Sequence, residues 1–399
     1  MNIKNPFNLS IRNKLIKKLN KFSSYKINFT DNWGIWTIGE GDKIINVKIL
    51  NSDFYLMLFS GGSNGIANAY IKGYWECDDL HELFRAFVKN IELLDSLETG
   101  YLKFHVLKNR FMYLLSSNSR SGSKKNIHAH YDLGNDFFKL FLDETMTYSS
   151  AIFKSENSSL KDASINKLDH ICKKLNLNET HHILEIGGGW GSFAIYAAQN
   201  YGCEVTTTTI SQEQFQYMKK KFLDLGLSDK IHLLNEDYRN LSGRYDKIVS
   251  IEMIEAVGNR FLGTFFSVCS KLLIPGGQMC LQSITMPDDR YPKYLENTDF
   301  IQTYIFPGSC VPSLAAMKNA LSRYTNLTVR HIENIAPHYS KTLLYWLNNF
   351  NRNESLIKKL GYDESFCRLW RYYLCYCAAG FQEHYLGDLQ ILLNKEDVS

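Results

Sequence analysis

The chain has 399 residues and a formal charge of +4, from 45 Lys and Arg against 41 Asp and Glu. At 45% hydrophobic and 22% charged it can bury a large core, which excludes a disordered chain, and so weak a charge argues for no nucleic-acid partner. Aromatics are the unusual component, at 14%.

Length predicts two domains, or one with an appendage. Nine scattered cysteines show no zinc-finger spacing, so reduced thiols and no metal site are expected. The N-terminus lacks the apolar core of a signal peptide, and no run reaches the roughly 18–20 apolar residues of a spanning helix. The expectation is a soluble, cytoplasmic protein that can still touch a membrane surface.

In chain order, residues 9–22 place Ile11, Leu15, Leu19 and Phe22 on one helical stripe, with Lys14, Lys17, Lys18 and Lys21 mostly opposite. Such a basic amphipathic helix is either an interfacial anchor or a surface helix packed on its own domain. Residues 33–59 alternate as strands, at 33–36, 44–50 and 54–59. Helical patterns follow at 79–94 and 98–115. The polar, basic stretch 116–126 is the best linker, and it divides an α+β N-terminal domain (1–118) from a catalytic domain (127–399) through residues 119–126.

Beyond residue 160 helix and strand alternate: helix 160–175, strand 182–186, helix 192–200, strand 203–210, helix 211–225, strands 231–235 and 245–251, helix 260–273 and strand 278–284. Strands joined by single helices predict right-handed crossovers and a parallel sheet covered on both faces. The tail from 341 is helical and aromatic-rich.

Glu185-Ile186-Gly187-Gly188-Gly189-Trp190-Gly191 follows the first of these strands and opens a helix. Glycines there let a ligand approach the backbone, and the helix N-terminus adds donors. The dinucleotide fingerprint fails, because Ser192 stands at its last position and strand 203–210 ends without the usual acidic residue. The loop instead resembles the first motif of class I S-adenosylmethionine methyltransferases, which implies a Rossmann-like α/β sheet. By that resemblance Asp237 and Tyr238 would hold the adenine. Thr209, Ile210, Ser211 and Gln214 would line the ribose side. Both groups have loop chemistry alone as the alternative.

Further stretches together resemble the cyclopropane-fatty-acyl-phospholipid synthases: residues 130–138, 147–153, 184–191, 250–258, 304–308, 338–339 and 372–378, with 73–80 matching the family's N-terminal domain. The runs at 252–258 and 284–288 look closer to the branch that includes plant enzymes. The resemblance implies methyl transfer from S-adenosylmethionine to a cis double bond of a phospholipid acyl chain, then loss of a proton and ring closure. It places Tyr148, Ser149, Glu185, Gly187, Gly188, Gly189, Trp190 and Gly191 with the cofactor. Tyr148, Phe153, Tyr304, Phe306 and Tyr339 are candidates to face a carbocation.

Family members hold a bicarbonate as base. Here that set maps to Glu255, Tyr339 and the amide of Ile284, with Ser150 at the cysteine position and Gln282 at the histidine position. Cys377 matches a cysteine described as an active-site residue, though a packing thiol suits a mechanism without a thiolate nucleophile. His128 and His130 fit gating or packing. Implied partners are an unsaturated phospholipid, a transient contact with the inner face of the membrane, and a second copy of the chain. Two other readings remain: an enzyme making methyl-branched fatty acids or methylating a small amine, and a silent lipid-binding protein, against which the glycine loop and Glu255 argue.

Overall fold

The computed structural model describes residues 5–98 and 133–396. Their contacts form two compact units, the first drawn from Met1–Leu115, Glu296–Ile305 and Phe350–Tyr385, the second from Ser116–Leu295, Phe306–Asn349 and Leu386–Ser399. The linker 119–126, His128, His130 and nearly all of the helix expected at 98–115 lie outside the described residues.

In the first unit β1 (Lys26–Asp31), β2 (Gly34–Ile38), β3 (Ile44–Ile49) and β4 (Trp75–Cys77) form a sheet of order β2-β1-β3-β4. Asp31 ties it to two helices, accepting from Arg12 Nε at 2.6 Å and from the Tyr55 hydroxyl. The N-terminal helix Pro6–Lys18 exposes Lys14, Lys17 and Lys18. Its stripe is not free for a bilayer, because Ile11, Leu19 and Phe22 are buried in the unit's own core. The strand expected at 54–59 is a helix, Asp53–Ile71, kinked at Gly62. A short apolar run such as Phe54–Phe59 suits either structure, and here the helix buries Phe54 and Tyr55 on one side. The late helix Glu364–Gln382 also belongs to this unit, where Tyr372 packs its ring against Tyr70, Phe84 and Phe300.

The second unit is built on seven strands: β5 (His182–Ile186), β6 (Glu204–Thr208), β7 (Ile231–Leu234), β8 (Tyr245–Ile251), β9 (Leu273–Thr285), β10 (Leu327–Asn334) and β11 (Gly387–Lys395). Their order is β10-β11-β9-β8-β5-β6-β7. The expected all-parallel sheet is therefore mixed, since β11 runs antiparallel to β9 and β10 antiparallel to β11.

Alternate residues of the central strands serve opposite faces. Leu184, Ile248, Met279 and Leu281 pack with Phe265, Phe266 and Cys269 of helix Leu262–Leu272. Ile183, Val205, Val249 and Cys280 pack with Phe193, Ala197 and Ile171 on the other side. Burial on both faces explains the apolar run of β5, while β6 meets the same burial with Val205 and three threonines. β5 has β6 on one side and β8 on the other, so crossovers leave it in opposite directions and open a crevice at the C-terminal edge, where α/β folds bind ligands. Among the described residues no helix is long and apolar enough to cross a membrane.

Candidate active site

The glycine loop leaves β5 at this crevice. The Gly187 and Gly188 amides donate to the Thr208 carbonyl at 3.1 and 2.9 Å, pinning the loop to β6. A Cβ at Gly188 would lie 2.1 Å from Thr207 Oγ1, so no larger residue fits. Gly189, at a φ of +56°, has open space where a Cβ would stand, which is room for a ligand against the backbone. Glu185 lies beneath the loop and accepts from the Thr207 hydroxyl at 2.6 Å. Burial pushes its carboxyl up to about 7, which suits a support for the loop.

The other cofactor candidates are largely partnered within their own loops. Thr209 Oγ1 donates to Gln214 Oε1 at 2.8 Å, and Ser211 caps helix Gln212–Asp224. Asp237 pairs with Arg239 at 2.6 Å, while the Tyr238 ring packs on Phe265. Ser149 accepts from the buried Lys167 ammonium at 2.8 Å. Tyr148 is set among the rings of Phe138, Trp190, Phe306 and Trp346, at 4.8–6.4 Å between neighbouring centroids, so the loop's own Trp190 joins an aromatic wall. Phe153 is turned elsewhere, with the Lys341 ammonium 4.6 Å from its ring centroid.

Beside this wall the chain gathers three carboxyl groups. Glu255, in the short turn after β8, accepts at Oε1 from the Ile284 amide at 2.6 Å and from the Ser283 hydroxyl at 3.1 Å. Its Oε2 is buried with no partner among the described residues. Burial, and then the neighbouring Glu252, push its carboxyl up to about 8. Asp388, on β11, is fully buried and raised well above the ordinary carboxylate range by the same causes.

The third carboxyl, Glu252, is the hub. Its Oε1 accepts from the Ser150 amide at 2.9 Å and from Gln282 Nε2 at 2.7 Å, and its Oε2 accepts from the Tyr339 hydroxyl at 2.5 Å. Burial pushes the Glu252 carboxyl above its ordinary range, against its hydrogen bonds and the nearby Lys167, which favour its charge; burial also pulls that ammonium down to about 8. Of the three residues Glu252 is the least buried as a whole. It holds a φ of +48°, a region that favours glycine.

Gln282 is oriented by a row of amides. Lys174 donates to Gln390 Oε1 at 2.7 Å and Gln390 donates to Gln282 Oε1 at 3.1 Å, which leaves the Gln282 NH₂ facing Glu252.

The structure thus brings Ser150, Gln282 and Tyr339 together around one point, with Glu255 and Ile284 beside it. Cys377 lies in the first unit, on helix Glu364–Gln382, with its thiol pushed up by burial. Tyr304 also belongs to the first unit. Glu252, Lys167, Asp388 and Gln390 had not been singled out from sequence.

A bicarbonate does not fit the donors assigned to it. The Ser150 amide, Gln282 and Tyr339 all serve Glu252, the Ile284 amide serves Glu255, and Ser150 Oγ donates to the Ala151 carbonyl at 3.1 Å. Of that set only Glu255 keeps an oxygen with no partner among the described residues, its buried Oε2, so a further anion would meet the Glu252 carboxyl with the other donors already taken.

The model of the mycolic acid cyclopropane synthetase family matches residues 118–391. The chain belongs to this family. Tuberculostearic acid methyltransferase of Mycobacterium tuberculosis is 34% identical over 342 residues, 84% of this chain and 79% of that protein. Cyclopropane-fatty-acyl-phospholipid synthase of Escherichia coli is 32% identical over 356 residues, 89% of each. The crystal structure of mycolic acid cyclopropane synthase CmaA1 complexed with SAH and CTAB superposes with a TM-score of 0.64 at 31% identity, covering 68% of this chain and 98% of that one. As a member of the family the chain is an S-adenosylmethionine-dependent methyltransferase. The glycine loop's open face at Gly189 fits that co-substrate.

Proposed function

We propose that this enzyme adds a methyl group to the cis double bond of an unsaturated phospholipid acyl chain and closes a cyclopropane ring on it. The observation that carries this reading is the carboxyl cluster set against an aromatic wall, beside the glycine loop. Bound at that loop, S-adenosylmethionine supplies an electrophilic sulfonium methyl. An alkene is a weak nucleophile, so the chain must orient the double bond and exclude water. The rings of Tyr148, Phe306, Trp346 and Tyr339 offer π faces to the resulting cation, each contributing ~0.5–2 kcal/mol, without capturing it. The cluster then receives the proton released from the new methyl group. The exposed lysines of helix Pro6–Lys18 support a role for the first unit in meeting an anionic membrane at its cytoplasmic face.

A second reading is a methyl-branched fatty acid as product, supported by the 34% identity to tuberculostearic acid methyltransferase. Both readings are tested by expressing the protein in cells rich in unsaturated phospholipid and analysing fatty acid methyl esters by mass spectrometry. A gain of one CH₂ with a ring in place of the double bond supports cyclopropanation. A branched product supports the second reading, and an unchanged profile contradicts both.

A further inference from the structure

We infer that Glu252 is the proton acceptor of this reaction, a carboxylate of the chain itself standing where the family pattern places a bound bicarbonate; the inference rests on the function proposed above. Three of the groups assigned to the anion by resemblance converge on this side chain: the Ser150 residue through its amide, Gln282 and Tyr339. Each of its oxygens accepts a hydrogen bond from at least one of them, so the anion's seat and the carboxylate are one place. The alternatives are less suited. Asp388 is fully buried, and Glu255 is held by the Ile284 amide and the Ser283 hydroxyl rather than by the Ser150, Gln282 and Tyr339 groups. Glu252 carries more donors than either.

The backbone fits the same conclusion. At a φ of +48° a glycine would sit without strain, and it would leave the cage of Ser150, Gln282 and Tyr339 open. A glutamate in that conformation fills the cage instead. The step balances without another reactant. A C–H bond of the transferred methyl group breaks, its electron pair forms the ring bond to the cationic carbon, and the proton passes to a Glu252 oxygen, turning carboxylate to carboxylic acid. A proton beside a carbocation is so acidic that placement matters more than basicity. Burial opposes a charge on Glu252, as an ionised Asp388 or Glu255 would, while Lys167 and the Tyr339 hydroxyl favour it.

The test uses the full chain, S-adenosylmethionine and vesicles of palmitoyl-oleoyl-phosphatidylglycerol in carbonate-free buffer, with and without added bicarbonate. Wild-type turnover is expected to be unchanged by bicarbonate. Glu252→Gln should lose ring product about 100-fold or more and divert the remainder to a hydroxylated, water-quenched chain. Glu252→Gly should regain turnover when bicarbonate is added, and calorimetry should show it binding bicarbonate where the wild type does not. Stimulation of the wild type by bicarbonate, or wild-type rates from Glu252→Gln, would overturn the assignment. If the wild type modifies no acyl chain, the proposed function fails, and calorimetry alone decides. Uptake by Glu252→Gly only then sustains the occupied anion seat; uptake by both proteins, or by neither, overturns it.

Discussion

The glycine loop and the carboxyl cluster occupy the same edge of one sheet and are built in opposite ways. The loop is mostly local: seven consecutive residues, 185–191, set its turn, its clearance and the start of the next helix, and the Thr207–Thr208 pair on β6 anchors it, with one hydrogen bond each to Ser250 and Asn135 from outside. The cluster is assembled from distance, with Ser150, Lys167, Glu252, Gln282, Tyr339 and Asp388 arriving on separate segments. A local site depends on backbone conformation, so it should fail through shape. An assembled one depends on how several titratable groups share protons in a poorly solvated space, so it should fail through charge.

The largest separation of the two should come from Gly188→Ala. The added Cβ would meet Thr207 Oγ1 at 2.1 Å, so the loop must shift. Overpacking of about 1–3 kcal/mol corresponds to roughly 5- to 150-fold weaker S-adenosylmethionine binding by calorimetry, with the carboxyl cluster untouched. Binding at the wild-type level would remove the loop from the cofactor site.

Tyr339→Phe should do the reverse. It deletes one donor to Glu252, worth about 1.5–3 kcal/mol for a bond to a charged group, while cofactor affinity stays the same. The measurement is kcat on phospholipid vesicles, expected to fall about tenfold or more; an equal loss of cofactor affinity would show that the two regions are not separable.

The smallest effect concerns stability and pH. Glu255 keeps its proton in the folded state up to about pH 8, against an ordinary value of 4.5. Its contribution to stability is therefore whole below pH 4.5 and is lost as the pH rises to about 8, at about 1.4 kcal/mol per unit. Glu255→Gln, which cannot ionise, should flatten the fall of Tm between pH 5 and 8 and leave cofactor binding intact. A wild-type Tm that rises across that window would contradict the buried, protonated carboxyl.

The same contrast explains what could be read from the residues alone. β5 through β8 stand within a residue or two of their expected bounds, because apolar and β-branched residues, as in β5 and β6, mark a buried strand. The glycine loop was legible because its chemistry is contiguous. β11 was not, since Asp388 and Gln390 interrupt an otherwise apolar strand, and they do so because they face the cluster. Glu252 was overlooked for a related reason. It lies three residues before Glu255 in one motif, and only the folded chain shows which of the two the distant Ser150, Gln282 and Tyr339 hold.

The most direct test of the central claim, that the transferred carbon gives up a proton within the site, is to supply S-adenosylmethionine carrying a trideuterated methyl group to the purified protein with oleoyl phospholipid vesicles. Mass spectrometry of the acyl chain should then find two deuterium atoms on the added carbon in the ring product. Retention of all three, or no incorporation at all, would contradict it.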